Sequence, residues 1–267
     1  KKFGDLKTTD YGGGGACSST RCVHMYGVDG GAYTNTIEYI TFAHEGNSAD
    51  FGDATVVGHS YSGNFSSLTR GVWGGGEAPI NDTIEYVTMA TIGNATDFGN
   101  LSAARTSMTG TSSPTRGVFA AGDTPGDLIE NIEYVTIAST GNVTDFGDLS
   151  DEIAGAPGAL SSTTRGIFAG GRTEPAGEIN EIQYITIAST GDASDFGDLS
   201  STKQQGSRNI SNNTRGVFAG GSDSPGGYTE EIEYITIAST GDAADFGDLY
   251  IAKGIGGGGS NGHGGLS

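Results

Sequence analysis

Residues 214–249 read TRGVFAGGSDSPGGYTEEIEYITIASTGDAADFGDL. Val217-Phe218-Ala219 is a compact apolar run ended by Gly220-Gly221. Ile232 to Ala238 is rich in Ile, Tyr and Thr, residues that fit a pleated surface. Ser239-Thr240-Gly241-Asp242 is a turn cluster, and Asp245-Phe246-Gly247 reads as a short strand at a sheet edge. Leu249 to Ile255 leads into a Gly-rich stretch that would be the first strand of another copy. About four strands fit into such a unit, and nothing in it has the apolar period of a helix.

The same wording recurs along the chain. Phe-Gly stands at Phe3, Phe51, Phe98, Phe146, Phe196 and Phe246, 47 to 50 residues apart. Thr-Arg starts at Thr20, Thr69, Thr115, Thr164 and Thr214, and Ile-Glu/Gln-Tyr at Ile37, Ile84, Ile132, Ile182 and Ile232. Five complete copies fill nearly all of the 267 residues. Their bounds are close to 7–53, 54–100, 101–148, 149–198 and 199–248, and residues 249–267 begin a sixth. A fixed period of this length marks one supersecondary unit stacked on itself.

In Ile232 to Ala238 both pleat faces carry apolar residues: Ile232, Tyr234 and Ala238 on one, Ile235 and Ile237 on the other. Such a strand needs cover on both sides. Radially stacked blades provide it, and four-stranded units of about 40–50 residues read as propeller blades. The expected fold is therefore all-β, a single five-bladed β-propeller. The alternative is a β-solenoid, whose rungs are usually shorter. Residues 1–6 read as the tail of a previous copy. A terminal segment is expected either to close the ring or to pair with a neighbouring subunit, because an unpaired strand edge is a template for addition.

Composition alone points elsewhere. Leu, Ile, Val and Phe supply 50 of 267 residues, glycine another 48, and the net charge is −19. These values border the range of disordered chains. The repeat reverses that expectation, because it concentrates the apolar residues on two strands per copy, between neighbouring blades. Other classes are excluded. No apolar run reaches the roughly 18 residues of a membrane span. Glycine has no triplet period, so the chain is not collagen. Thirteen basic against 32 acidic residues argue against a nucleic-acid partner. No apolar leader follows Lys1-Lys2-Phe3, and without an initiator Met the chain is expected to be a processed product or part of something longer.

Recurring residues are expected to be architectural, since an active site seldom needs five equivalent copies. They are Arg21, Arg70, Arg116, Arg165 and Arg215, and Tyr39, Tyr86, Tyr134, Tyr184 and Tyr234. Asp145/Asp148, Asp195/Asp198 and Asp245/Asp248 are candidate partners for the guanidiniums, which can also bridge backbone carbonyls. Asp-Phe-Gly is not a kinase motif here, because no nucleotide loop or His-Arg-Asp loop accompanies it. Gly12 to Gly15 and Gly256 to Gly259 precede no Gly-Lys-Ser/Thr and are expected near the propeller axis. No cofactor is expected. Calcium is the one ion the acidic excess would suit, but no Asp-x-Asp-x-Asp-Gly loop is present, and a solvated acidic surface is the plainer expectation. Cys17 and Cys22 flank a tight turn between two strands, where a cross-strand disulfide is geometrically allowed. His24, His44, His59 and His263 lack ligand spacing and read as packed or partly exposed strand residues.

What varies between copies follows the Gly-Gly position: 28–36, 77–83, 123–131, 172–181 and 222–231. These stretches join the second and third strands of each blade and should share one face. Loops on a rigid scaffold are where recognition tends to reside. Tyr33, Asn81, Asp127, Glu178 and Tyr228 are the candidate binding positions, the two tyrosines for stacking on a sugar or a protein.

An apolar strand ending in Gly220-Gly221, then Glu233-Tyr234, then an aromatic, Phe246, 12 residues further on, resembles the kelch repeat. Phe246 stands where kelch repeats usually carry Trp. The fuller wording resembles tandem-repeat proteins of tailed, especially marine, bacteriophages, whose C-termini often read like Ser260-Asn261-Gly262-His263-Gly264-Gly265-Leu266. The resemblance implies a kelch-like propeller located on the virion, as a non-enzymatic structural or adhesion module of a tail fibre, appendage or capsid decoration. It implies multivalent contact with other virion or appendage proteins and with a host surface glycan or protein, as a homo-oligomer or part of a larger assembly. The alternative is a carbohydrate- or protein-binding propeller of a secreted or cell-surface assembly. Kelch-like propellers include copper-radical oxidases, but no comparable His, Tyr and Cys constellation stands in this sequence.

Overall fold

The computed structural model of the chain describes residues 3–7, 10–25, 27–59, 61–155, 157–204, 209–223 and 227–254. Most of the partial sixth copy, residues 255–267, lies outside them, and with it Gly256 to Gly259 and His263. Among the described residues there is no helix.

Five four-stranded antiparallel sheets are arranged as a five-bladed β-propeller. Blade 1 consists of Gly14–Cys17, Arg21–Met25, Thr36–Thr41 and Ala49–Asp53. Blade 2 is Gly63–Ser66, Arg70–Gly74, Thr83–Thr88 and Thr96–Asn100. Blade 3 is Thr109–Ser112, Arg116–Ala120, Asn131–Thr136 and Thr144–Asp148. Blade 4 is Gly158–Ser161, Arg165–Ala169, Glu181–Thr186 and Ser194–Asp198. Blade 5 is Asn209–Ser211, Arg215–Ala219, Glu231–Thr236 and Ala244–Asp248. In every blade the four strands pair in chain order, a plain meander.

The first strands adjoin one another, tied by serines. The Oγ of Ser66 donates to the carbonyl of Cys17 at 3.0 Å, Ser112 to Ser66 at 2.9 Å, Ser161 to Ser112 at 2.8 Å and Ser211 to Ser161 at 2.8 Å. Apolar side chains fill the space between successive blades. Ile37 and Phe51 of blade 1 pack with Trp73, Val87 and Met89 of blade 2. Phe98 of blade 2 packs with Val135 and Ile137 of blade 3, Phe146 with Ile185 and Ile187 of blade 4, and Phe196 with Ile235 and Ile237 of blade 5. The two-sided apolar strand is thus satisfied by a neighbour on each face.

The outer strand meets the turn of the next blade backbone to backbone. The carbonyls of Phe98 and Asn100 accept from the N–H groups of Gly141 and Val143 at 2.7 and 3.0 Å, and the other junctions repeat this. Glycine is required between those carbonyls. Gly99 sits at φ +149°, and a Cβ there would lie 2.4 Å from the Gly141 oxygen. Gly247, at φ +137°, is the same residue in blade 5, yet a Cβ there would meet nothing within 4 Å. Gly99→Ala and Gly247→Ala therefore share the backbone strain, and only the first adds a clash between blades. In chemical denaturation Gly99→Ala should lose about 1–3 kcal/mol more than Gly247→Ala. Equal losses would contradict the close approach.

Candidate functional site

The recurring arginines hold the blades to one another. Each opens the second strand of its blade and is set by the turn before it. Ser18, Ser67, Ser113 and Ser162 accept through Oγ from the N–H of Arg21, Arg70, Arg116 and Arg165 at 3.1 Å, and Asn212 accepts through Oδ1 from the N–H of Arg215 at 2.8 Å. Each guanidinium lies over the tyrosine of its own blade. Arg21 is 4.3 Å from the ring centroid of Tyr39, Arg70 4.2 Å from Tyr86, Arg116 4.1 Å from Tyr134, Arg165 4.4 Å from Tyr184 and Arg215 4.2 Å from Tyr234. Each tyrosine in turn meets the outer-strand phenylalanine edge to face, as Tyr134 meets Phe146 at 6.0 Å.

The free side of the guanidinium then crosses to the next blade. Arg21 donates to the carbonyl of Met89 at 2.9 Å, Arg70 to Ile137 at 2.7 Å, Arg116 to Ile187 at 2.7 Å and Arg165 to Ile237 at 2.9 Å. The partners are these carbonyls and the tyrosine faces, not the aspartates proposed from sequence. A carbonyl ending the third strand has no ladder partner, and a cationic donor is a strong one for it.

A second recurring group was missed in the sequence. Glu38, Glu85, Glu133, Gln183 and Glu233 stand between the isoleucine and the tyrosine of the third strand, and all are buried. The acidic excess is thus not wholly a surface property. Glu85 accepts from His59 Nε2 at 2.7 Å and from Thr55 N at 2.7 Å. His59 Nδ1 faces the Gly75 carbonyl at 2.7 Å; both ring partners are acceptors, so the ring donates to both only as the imidazolium. Arg105 pairs with Glu133, and Lys203 Nζ donates to Glu233 at 2.5 Å and Glu231 at 2.6 Å. In blade 4 the position of Arg105 and Lys203 is Ile153, and there the carboxylate is replaced by Gln183. That covariation is the signal the sequence offered.

Burial pushes the Glu85 carboxyl up, but the hydrogen bonds from His59 and Thr55 and the His59 charge outweigh it, so its pKa is lowered. Burial likewise opposes the Lys203 and Ser200 hydrogen bonds at Glu231, whose pKa is also lowered. Desolvation lowers the pKa of Arg105 against the pull of Glu133. Glu181 is raised by burial, offset in part by Ser150 and reinforced by Asp195, Asp151 and Asp198.

The candidate binding positions lie in the connections between second and third strands. Tyr33 is 38% exposed, and its hydroxyl donates to Glu77 of the next blade's connection at 3.1 Å. Tyr228, 61% exposed, lies against Gly254. Asn81 is engaged in its own loop, accepting from Thr83 N at 3.1 Å. Asp127 closes a turn with Thr124, and Glu178 accepts from Gln204 at 3.4 Å. Among the described residues, Tyr33 is the one of the five with a hydrogen bond to a neighbouring blade's connection. Cys17 and Cys22 are directly paired across their strands and form a disulfide. Among the described residues no three His, Cys, Asp or Glu side chains gather to hold a metal ion. No family model and no curated protein matches the chain.

Two outcomes follow for the buried pairs. Breaking one by Glu133→Ala should cost about 3–5 kcal/mol, whereas Arg105→Ile with Glu133→Gln, the combination of blade 4, should cost less than the sum of its single variants. A double-mutant cycle in urea measures the coupling, and additive losses would contradict the pairing. For Glu85, the lowered folded pKa means its stabilisation is present above the ordinary value of 4.5 and is lost as pH falls through the lowered value. Glu85→Gln should therefore lower the melting temperature most near neutral pH. Its deficit should shrink in melts taken below about pH 4.

Proposed function

We propose that the chain is a non-enzymatic, kelch-like display module, a structural or adhesion part of a tail fibre, appendage or capsid decoration on a virus particle. One observation carries it. The recurring polar groups serve blade cohesion, while the sequence that differs between copies sits in repeated connections, two of which present an exposed tyrosine, Tyr33 and Tyr228. A rigid array of similar blades with variable connections suits multivalent contact, in which weak sites gain from effective concentration. The partners on this reading are a host surface glycan or protein on one side and other particle proteins on the other. The Cys17–Cys22 disulfide favours an oxidising setting, which also suits the second reading, a secreted or cell-surface binding propeller.

A glycan array probed with the chain displayed on beads tests the binding role. Tyr33→Ala and Tyr228→Ala should each reduce retention about fivefold or more without altering the melting temperature. Retention that ignores both substitutions, or no retention on any glycan or isolated envelope protein, would overturn the assignment of binding to these connections.

A further inference from the structure

Among the described residues the five blades make the same blade-to-blade junction four times; the fifth, between blade 5 and blade 1, is unmade, and each of these two blades carries one half of it. On blade 5, Phe246 is 54% exposed, whereas Phe51, Phe98, Phe146 and Phe196 are each 2% exposed. Arg215 keeps its place over Tyr234 but, unlike the other four arginines, donates to no further blade among the described residues. Among the described residues the carbonyls of Phe246 and Asp248 accept no turn N–H, whereas their counterparts in the other blades do.

Blade 1 shows the complementary half. Phe42 occupies the position of Met89, Ile137, Ile187 and Ile237, whose carbonyls receive the arginines. Those four are 1–2% exposed, and Phe42 is 39% exposed. The turn of blade 1 is held by a short strap instead of a blade: Gly46 N and Ser48 N donate to the carbonyls of Phe3 and Asp5 at 2.9 Å each. The strap Phe3-Gly4-Asp5-Leu6 has the same sequence as Phe246-Gly247-Asp248-Leu249.

The charges match as well. The segment after each outer strand is seated on the blade it leaves, the carbonyls of Arg105, Lys203 and Lys253 accepting from Gly76, Gly171 and Gly221 at 2.9, 3.0 and 2.9 Å. From that seat Arg105 and Lys203 reach the buried glutamate of the following blade. Lys253 is exposed, and the glutamate of that register on blade 1 is Glu38.

We propose that blade 5 docks on blade 1 of a second copy of this chain, head to tail. Phe246 to Leu249 replace the partner's strap like for like, so its two backbone hydrogen bonds are kept. The gains are the Arg215 hydrogen bond to the Phe42 carbonyl, burial of both phenylalanines and the approach of Lys253 to Glu38. Blade 5 carries the strap's own sequence, Phe246-Gly247-Asp248-Leu249 against Phe3-Gly4-Asp5-Leu6, and this match is what makes a second copy the occupant. The inner edge differs from the other junctions. Ile210 of blade 5 would meet the Cys17–Cys22 disulfide, where later blades set a glycine against Ala16, Phe65, Thr111 or Leu160. A Cβ at those glycines would lie 2.0–3.0 Å from the facing side chain, so the inner strands of this junction must sit further apart than in the other four. A heterologous contact of this kind yields a closed ring of copies or a filament, according to its rotation.

Light scattering across a concentration series tests it. The 267-residue chain should exceed its monomer mass of 27.1 kDa as concentration rises. Phe42→Asp, which disables blade 1, and Phe246→Asp, which disables blade 5, should each remain monomeric with circular dichroism unchanged. Mixed one to one, they should form a dimer of twice the monomer mass, because each retains the half the other lost. Arg215→Ala serves as a second blade 5 variant if Phe246→Asp misfolds. A wild-type chain that stays monomeric to its solubility limit overturns the proposal. So does assembly that survives both substitutions, or a mixture that remains monomeric.

Discussion

A guanidinium shared between two blades is the interaction on which this molecule depends. Arg116 lies on the face of Tyr134 in its own blade and donates to the carbonyl of Ile187 in the next. The arrangement solves two problems together. It gives a partner to a carbonyl at the end of a strand, where the ladder offers none. It also fixes the tyrosine, and through it the outer-strand phenylalanine, against the apolar residues of the following blade. Charge-assisted hydrogen bonds of this kind are worth about 1.5–3 kcal/mol each. Four such links add to the apolar packing and the backbone hydrogen bonds between blades, in a chain whose composition borders on disorder.

The buried glutamates add a second constraint. Each sits in the third strand, with cover on both sides, and is tolerable only with a donor beside it. Three different donors meet that need, His59, Arg105 and Lys203, each from the segment that leads into the blade. In blade 4 both charges are gone together. The repeat therefore conserves the balance of the pair and not the identity of its members.

Much of the fold was legible because it repeats. Phe-Gly, Thr-Arg and Ile-Glu-Tyr recur at positions where a propeller blade needs an edge, a turn and a two-sided strand, and the five sheets carry them there. Less was legible of what joins the blades. The sequence left the arginine's partner open between a recurring aspartate and a backbone carbonyl; it is a carbonyl some 70 residues away, at 71 for Arg116, and its position has no sequence signature. Glu233 sits between Ile232 and Tyr234, and a charge in an apolar strand reads as an exposed one. Its cation, Lys203, lies 30 residues back in a stretch of little pattern. The connection positions were placed correctly along the chain, yet their mutual distance depends on blade geometry, which a single repeat does not encode.

Arg21, Arg70, Arg116 and Arg165 each stabilise the molecule through the blade that follows. Equilibrium unfolding of Arg116→Ala and Arg215→Ala, at a concentration low enough to keep the chain monomeric, tests this directly. Both lose the stacking on their own tyrosine, and only Arg116 also loses a carbonyl in the next blade. Arg116→Ala should be the more destabilising by about 1.5–3 kcal/mol. Equal losses at the two positions would contradict it.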